Sequence, residues 1–361
     1  MANILTPDFK LTIGTTNFTE NPLRRTVSEM VVEQLSDGAS SFKIVLDDSA
    51  DTFSGGKTSI KEGMECVIEM GFVETGTKQV IKGFVTGVKP KRTEYSRKMF
   101  TVTGFDGLSK LTRGRKRRSW ENIKDSDIAT QIAQECGLQP DVEDSGMIQP
   151  YVVQNNENNL NFLFERARRI GYEVKVEEEK LVFRKPREVK ADVTLRWDGT
   201  NIREKGGVLI QRLDFNTSTM NMPKKVVVRS YDPKTGEAII ASASMDDNDK
   251  MGGSKTAGDA AEFGCNLDTT IQISDQPVRS EEEAERLAKS ILSQRAAEFL
   301  TGNGKCVGNG KIKCGAKLNI EDVGEEMAGE YYVTSAKHIL RVGTGKGFGY
   351  WTEFSVSRTG R

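Results

Sequence analysis

The stretch NNLNFLFERARRIGYEVKVEEEKLVFRKP, residues 158–186, combines a predicted helix, a glycine stop and a predicted hairpin. Its first half has the apolar spacing of one helical face: Leu160, Leu163, Phe164, Ala167 and Ile170. Asn158 or Asn159 can cap this helix, and Gly171 is expected to end it. The second half alternates around an EEEK turn, with these apolar positions: Tyr172, Val174, Val176, Leu181 and Phe183. The stretch therefore predicts half of a small α/β unit.

The other half of this unit lies upstream, in residues 119–138. Asp125 or Ser126 can cap a helix there, and Gly137 can end it. Its apolar face is formed by Ile128, Ile132, Ala133 and Cys136. Two amphipathic helices and a hairpin predict an α/β module over residues 113–188, inserted between two other regions.

The region before the module has the period of β-strands. In MECVIEMGF, residues 64–72, the apolar side chains occupy alternate positions and Glu65 and Glu69 face the other way. Residues 40–48 (SSFKIVLDD) and 98–106 (KMFTVTGFD) alternate in the same manner. We therefore predict a β-barrel or sandwich over residues 1–112.

The region after the module returns to strands from Val193 onwards. Ser280 and Glu283 form a predicted capping box for a long helix, residues 281–300, which Thr301 to Asn303 would end. Residues 245–264 are rich in Gly, Asp and Ser and predict a mobile loop. We predict a second β domain over residues 189–361, so that the chain is mainly β with an α+β insertion.

The composition limits the partners. Lys plus Arg and Asp plus Glu are each 52, so the net charge is zero and no global field would attract nucleic acid or an anionic membrane. The sequence begins without an apolar segment of signal-peptide length, so synthesis in the cytoplasm is expected. Five widely spaced cysteines predict no disulfide framework.

No motif predicts catalysis or metal binding. His338 is the single histidine and lies in a strand pattern, where a structural or exposed role is favoured. Cys306 and Cys314 could approach each other across a hairpin, but no C-x-x-C pair is present. Asp246, Asp247 and Asp249 lack the spacing of a calcium loop. Residues 302–311, GNGKCVGNGK, lack the spacing of a phosphate-binding loop. We predict no enzyme activity, no catalytic, cofactor-binding or metal-binding residues, and no cofactor.

One basic cluster stands out against the balanced charge. Five of the six residues 113–118 are cations: Arg113, Arg115, Lys116, Arg117 and Arg118. A charged linker or a protein contact is the favoured interpretation, because aromatic residues are not interleaved with the cations as in single-strand nucleic-acid sites.

Three passages together resemble the phage late control gene D protein family. They are VIKGFVTGVKP (residues 80–90), NFLFERARRIGYEVKVEEEKLVF (161–183), and GAKLNIEDVGEEMAGEYYVTSAKHIL (315–340) followed by GYWTEFSVSR (349–358). The last passage resembles that family's C-terminal strands at these positions: Gly329, Tyr331, Val333, Thr334, His338, Thr352 and Phe354.

The resemblance implies a baseplate hub of a contractile tail, similar to the N-terminal hub part of VgrG proteins. Such hubs carry two antiparallel β-barrels like those of the tail tube, and three chains form a pseudo-sixfold trimer. The implied partners are two further copies, the hexameric tail tube protein, a trimeric spike and baseplate wedge proteins, with tape-measure or cargo proteins as further candidates. Only seven residues follow Phe354 here, so we expect the spike to be a separate chain.

The resemblance leaves the interface residues unknown. It also leaves open whether the particle is a phage tail, a tailocin or an injection system. Two other functions are considered: a carbohydrate-binding tail module and a peptidoglycan hydrolase component. The first would need exposed aromatic platforms, yet aromatic residues are 7% of the chain. The second lacks a recognisable acid, nucleophile or metal cluster.

Overall fold

The computed structural model describes residues 5–93, 96–186, 190–197, 199–220, 222–232, 235–245, 269–343 and 347–360. The chain is mostly β, with few helices. This confirms the predicted fold class of two β units separated by an α/β module. The predicted loop over residues 245–264 lies outside the described residues from Asp246 onwards, and so do Asp247, Asp249 and Cys265.

The first β unit wraps one sheet around a single core. Its strands are β1 (Pro7–Ile13), β2 (Thr16–Asn17), β3 (Val27–Leu35), β4 (Ser41–Asp47), β5 (Glu65–Phe72), β6 (Gly76–Thr93) and β7 (Ser96–Asp106). The order is β3-β4-β7-β6-β5-β1-β2, and every pair is antiparallel. Alternate residues such as Leu11, Ile44 and Ile68 are fully buried inside it. Short 3₁₀ helices occupy Leu23–Thr26 and Gly107–Thr112.

The α/β module follows directly. It contains β8 (Lys116–Lys124), α1 (Asp125–Glu135), β9 (Gln139–Val142), β10 (Ile148–Glu157), α2 (Asn159–Ile170), β11 (Glu173–Glu177) and β12 (Lys180–Arg184). Strands β8 and β10 pair as a two-stranded ribbon, whereas β12 joins β11 to a parallel partner, β9. Asn158 caps α2 by accepting from the Asn161 amide, and Gly171 ends it at φ 70°, as predicted.

Two local predictions in the module are wrong. Neither Asp125 nor Ser126 caps α1, because Asp125 is its first helical residue and Lys124 holds the cap position without a side-chain bond. The buried Asp125 carboxylate instead accepts two hydrogen bonds from Arg166 of α2. Arg166 Nε lies 2.5 Å from Oδ1, and the second guanidinium nitrogen lies 3.0 Å from Oδ2. Lys116 to Arg118 belong to β8 and are not a linker, because their backbone pairs with Gln154 to Glu157.

The second β unit contains a closed barrel. Its elements are β13 (Val193–Arg196), α3 (Gly199–Lys205), β14 (Val208–Thr217), β15 (Lys225–Tyr231), β16 (Ala238–Ser244), β17 (Thr270–Ile273), α4 (Glu281–Ala297), β18 (Leu300–Val307), β19 (Lys317–Glu321), β20 (Gly329–Arg341) and β21 (Gly349–Arg358). The ring is β19-β13-β14-β18-β21-β20, closed by pairing of β19 with β20. Within it, β13 runs parallel to both of its neighbours.

Helix α4 packs against the small sheet β16-β15-β17 and is shorter than predicted. Ser280 caps it by accepting from the Glu283 amide, and Ala284, Leu287, Ala288 and Leu292 are buried. The helix ends at Ala297, and Thr301 to Asn303 lie in β18. The glycines of β18 make room for aromatic rings, since a Cβ on Gly304 would lie 2.3 Å from Cζ of Phe354.

The two β units share one continuous sheet. Strand β20 pairs antiparallel with β3 over seven residues, from Ser335 opposite Leu35 to Arg341 opposite Glu29. Ala336 packs into the core of the second unit, whereas Leu340 and Tyr350 pack into the core of the first. The barrels are therefore joined edge to edge through their backbones.

Candidate assembly surfaces

The single histidine has a structural setting. His338 is fully buried in β20, with Nε2 3.0 Å from the carbonyl oxygen of Ile312 and Nδ1 3.0 Å from the hydroxyl of Tyr350. Because a carbonyl only accepts, Nε2 carries the proton and Nδ1 accepts. Burial lowers the pKa of His338 to about 4, so the ring is neutral. The residue ties the loop before β19 to the strands that join the barrels.

The cysteines of the described ranges are free thiols. Cys306 is buried in β18, and the thiol of Cys314 donates to the carbonyl oxygen of Thr334 at 3.2 Å. Burial raises the pKa of Cys314 to about 12, which keeps it protonated. No group of three or more His, Cys, Asp or Glu side chains that could hold a metal ion occurs among the residues described.

The outer side of the shared sheet is a polar face that sequence analysis did not locate. We call it the polar face and define it by Glu29, Glu33, Lys43, Lys305, Lys337, Arg341 and Glu353 around Trp351. These residues alternate with buried ones along β18, β21, β20, β3 and β4, so the face crosses from one barrel to the other without a break.

Charges on the polar face are paired across strands. Arg341 Nε lies 2.7 Å from Glu29 Oε1, and Lys43 reaches the same carboxylate at 3.5 Å. The ring of Trp351 lies between two cations, with Lys305 Nζ 4.4 Å and the Arg341 guanidinium carbon 5.4 Å from its centroid. The two cations of these pairs are about half exposed, so the pairs add little stability. Period-2 alternation alone could have located its residues, but not the order of the strands.

A cleft of about 520 Å³ lies where the two β units meet the module. Its charged walls are largely paired with each other, for example Lys82 with Glu179 at 3.0 Å and Lys175 with Glu173 at 3.1 Å. Asp106 lies at its edge and accepts from the backbone amides of Ser40 and Leu108. Burial raises the pKa of Asp106 to about 6. The cleft is a charged seam between units and contains no catalytic constellation among the described side chains that line it.

The predicted basic cluster is divided by its strand. Lys116 and Arg118 point inward and bind Glu135 of α1 at 2.7 and 2.6 Å. Arg113, Arg115 and Arg117 are exposed. No described helix is both long enough and apolar enough to span a membrane.

Solved structures with the same fold include phage-related proteins. A 43 kDa tail protein of prophage MuSo2 from Shewanella oneidensis has a TM-score of 0.72 at 15% identity. The match covers 98% of this chain and 99% of the MuSo2 protein. A tail protein from Neisseria meningitidis has a TM-score of 0.70 at 13% identity, covering 98% and 97%.

A component of the E. coli type VI secretion system, itself structurally similar to the T4 tail proteins gp27 and gp5, has a TM-score of 0.56 at 10% identity. The match covers 97% of this chain and 76% of the secretion-system component. At these identities the likeness concerns the fold alone.

None of these proteins is described as a member of the late control D family, so that membership stays a prediction. No curated protein matches the sequence significantly. The matching sequence family is the Alg8 N-terminal domain, and the match extends over residues 11–341. Because this match spans most of the chain, the protein belongs to the Alg8 N-terminal domain family.

Proposed function

We propose that the chain is a structural, non-enzymatic hub of a contractile tail or injection system. Three copies would form a ring that joins a hexameric tail tube to a separate trimeric spike. Baseplate wedge proteins would bind its outside. The fold shared with two phage tail proteins over nearly the whole chain supports a tail component.

The observation that carries the hub proposal is the edge-to-edge joining of the two barrels through β20 and β3. A chain with two barrels side by side supplies two repeats, so a closed ring of three chains supplies six. Such a ring can meet a sixfold partner on one side and a threefold partner on the other. The predicted domains, residues 1–112, 113–188 and 189–361, are part of this proposal: the first and third would form the ring and the second would lie outside it.

The polar face is our candidate for the lining of the channel. Its charged residues are half-buried to exposed and paired only across strands. In addition, several of its neighbours along the strands point into the cores: Met30, Val32, Ile44, Ala336 and Leu340. A water-filled channel suits a surface of this kind, whereas a contact between chains would favour a more apolar one.

Assembly tests the proposal directly. We expect the purified chain, alone or with its candidate spike, to have the mass of a trimer by light scattering and to show threefold rings by negative-stain imaging. A chain that stays monomeric with both tube and spike proteins present would contradict the hub function.

Labelling tests the position of the polar face. Lys43→Cys, labelled with a gold cluster, should add density inside the ring, because Lys43 lies on the polar face. Lys190→Cys, at an exposed position outside the face, is the matched control, and the native chain treated alike measures background from its own thiols. Density outside the ring for the Lys43 variant would exclude the face from the channel but would leave the ring itself intact.

A further inference from the structure

The ribbon formed by β8 and β10 has one covered face and one open face. On the covered face, Trp120 stacks on Phe162 of α2 with ring centroids 5.4 Å apart, and Arg118 forms an ion pair with Glu135 of α1. Because side chains alternate along a strand, Arg117, Ser119 and Glu121 of β8 point the other way. Their register partners on β10 are Asn155, Val153 and Tyr151.

Three exposed cations lie at the start of β8. Arg117 lies on the open face, and Arg113 and Arg115 come just before the strand. None of the three is in an ion pair with any described residue, although the neighbouring Lys116 and Arg118 are both bound to Glu135. In a chain whose 52 acidic residues match its 52 basic ones, three adjacent arginines without a carboxylate are a local positive field.

The open face also carries two apolar side chains. Tyr151 and Val153 of β10 are 44% and 45% exposed. β8 and β10 pair only with each other among the described strands, so both outer edges carry backbone groups without a strand partner. An exposed strand edge beside alternating side chains is the geometry to which an extended peptide adds.

We propose that the open face of this ribbon binds an acidic, extended segment of a partner protein. Carboxylates of the segment would bind Arg113, Arg115 and Arg117, and an apolar side chain further along would cover Tyr151 and Val153. The proposal goes beyond the hub function and does not depend on a ring, since the ribbon lies in the α/β module.

An acidic protein fits this surface better than nucleic acid. A duplex is held through many phosphate contacts, whereas only three free arginines lie here. The exposed carboxylate of Glu121, opposite Tyr151, would repel the continuous charge of a phosphate backbone, whereas a peptide can place an uncharged residue beside it. An apolar pair between these charges suits a protein segment with mixed side chains.

The test is a fluorescence anisotropy titration of the full chain with three labelled probes. The first probe is a short peptide that alternates glutamate with valine and tyrosine. The second has the same composition with its glutamates in one block, and the third is a short DNA duplex. We expect the alternating peptide to bind most tightly, with an affinity that falls as salt rises.

Variants assign the binding to the ribbon. The triple variant Arg113→Glu, Arg115→Glu and Arg117→Glu should bind the alternating peptide with an affinity lower by on the order of tenfold or more, because attraction becomes repulsion at three positions. A control variant reverses three exposed lysines outside the ribbon: Lys190→Glu, Lys205→Glu and Lys311→Glu. It carries the same change in net charge and should bind as the native chain does.

A second variant separates the apolar contact from the charge. The double variant Tyr151→Ser and Val153→Ser should lower the affinity for the alternating peptide severalfold. It should leave the salt dependence of that affinity unchanged. Circular dichroism of each variant checks that the fold is retained. Equal loss in the arginine and lysine variants, tighter binding of DNA than of the peptide, or no binding of either peptide would overturn the proposal, whether or not the chain forms rings.

Discussion

The imidazole of His338 is fully buried and has hydrogen-bond partners at both ring nitrogens. Its two ring nitrogens bind Ile312 and Tyr350, and Thr352 Oγ1 lies 3.1 Å from Nδ1. Protonation of Nδ1 would turn an acceptor into a donor inside the protein and place a charge in a fully buried site. The charged form is therefore strongly disfavoured in the folded state.

The pH dependence of stability follows from this. The pKa of His338 falls from 6.5 in the unfolded chain to about 4 in the folded one. The unfolded state therefore binds the proton more readily, and stability is full above pH 6.5 and lost as the pH falls towards 4. We expect about 3 kcal/mol of the free energy of unfolding to be lost over this range through His338 alone.

Urea unfolding of the native chain and of His338→Gln across pH 4 to 7 measures this loss, with the range set by the two pKa values. Glutamine can still donate to Ile312 and accept from Tyr350, but it does not titrate. The difference in stability between the two proteins should shrink as the pH falls. Parallel pH profiles would mean that the imidazole is not the titrating group.

At the scale of elements, the hairpin of the module has a turn whose residues do not favour the backbone conformation that they adopt. Glu178 and Glu179 link β11 to β12 with φ angles of 47° and 69°, so both residues are left-handed. Asparagine followed by glycine is the usual choice for such a two-residue turn. Glu179 also forms an ion pair with Lys82 of β6, which connects the module to the first β unit.

We expect Glu178→Asn to stabilise the chain by about 0.5–1 kcal/mol, because asparagine adopts a left-handed conformation with less strain. Glu178→Val should destabilise it by a similar amount, since a β-branched side chain is strained there. Guanidinium unfolding followed by circular dichroism measures the stability of each variant. Equal stability of the two variants would show that the turn is not strained.

At the scale of the whole molecule, β20 belongs to both barrels. Its residues near Ala336 pack into one core and those near Leu340 into the other. Unfolding of either barrel would therefore remove a strand from the sheet of its neighbour. The two β units should unfold together, even though they are predicted as separate domains.

Ile44→Ala, in the core of the first unit, tests this coupling. Ile44 is fully buried, and its truncation should cost about 2–5 kcal/mol. Hydrogen exchange should then accelerate in the barrel strands β18 and β21 of the second unit as well as in β4. Leu318→Ala, at a fully buried site in β19, is the reciprocal variant and should accelerate exchange in β3 and β4. Acceleration confined to the substituted unit would show that the barrels unfold independently.

Local patterns in the sequence determined the fold class and most elements of this protein. The alternation along β4, β5 and β7 and the apolar stripe of α2 depend only on which side chains are buried away from water. The period of the sequence alone therefore identifies them. Asn158 and Gly171 delimit α2 because caps act on adjacent backbone groups. The strand position of His338 was predicted too, but whether its side chain is buried or exposed was left open and is decided by the structure.

Tertiary structure decided what depends on distant residues. Thr301 to Asn303 were predicted to end a helix, but they lie in β18, where aromatic rings from other strands leave room only for glycine at positions 302 and 304. Asp125 was predicted as a cap and pairs instead with Arg166, which lies on another helix. The pairing of β20 with β3, and with it the polar face, joins residues about three hundred positions apart. No local signal encodes that contact, because its two strands are brought together only by the tertiary structure.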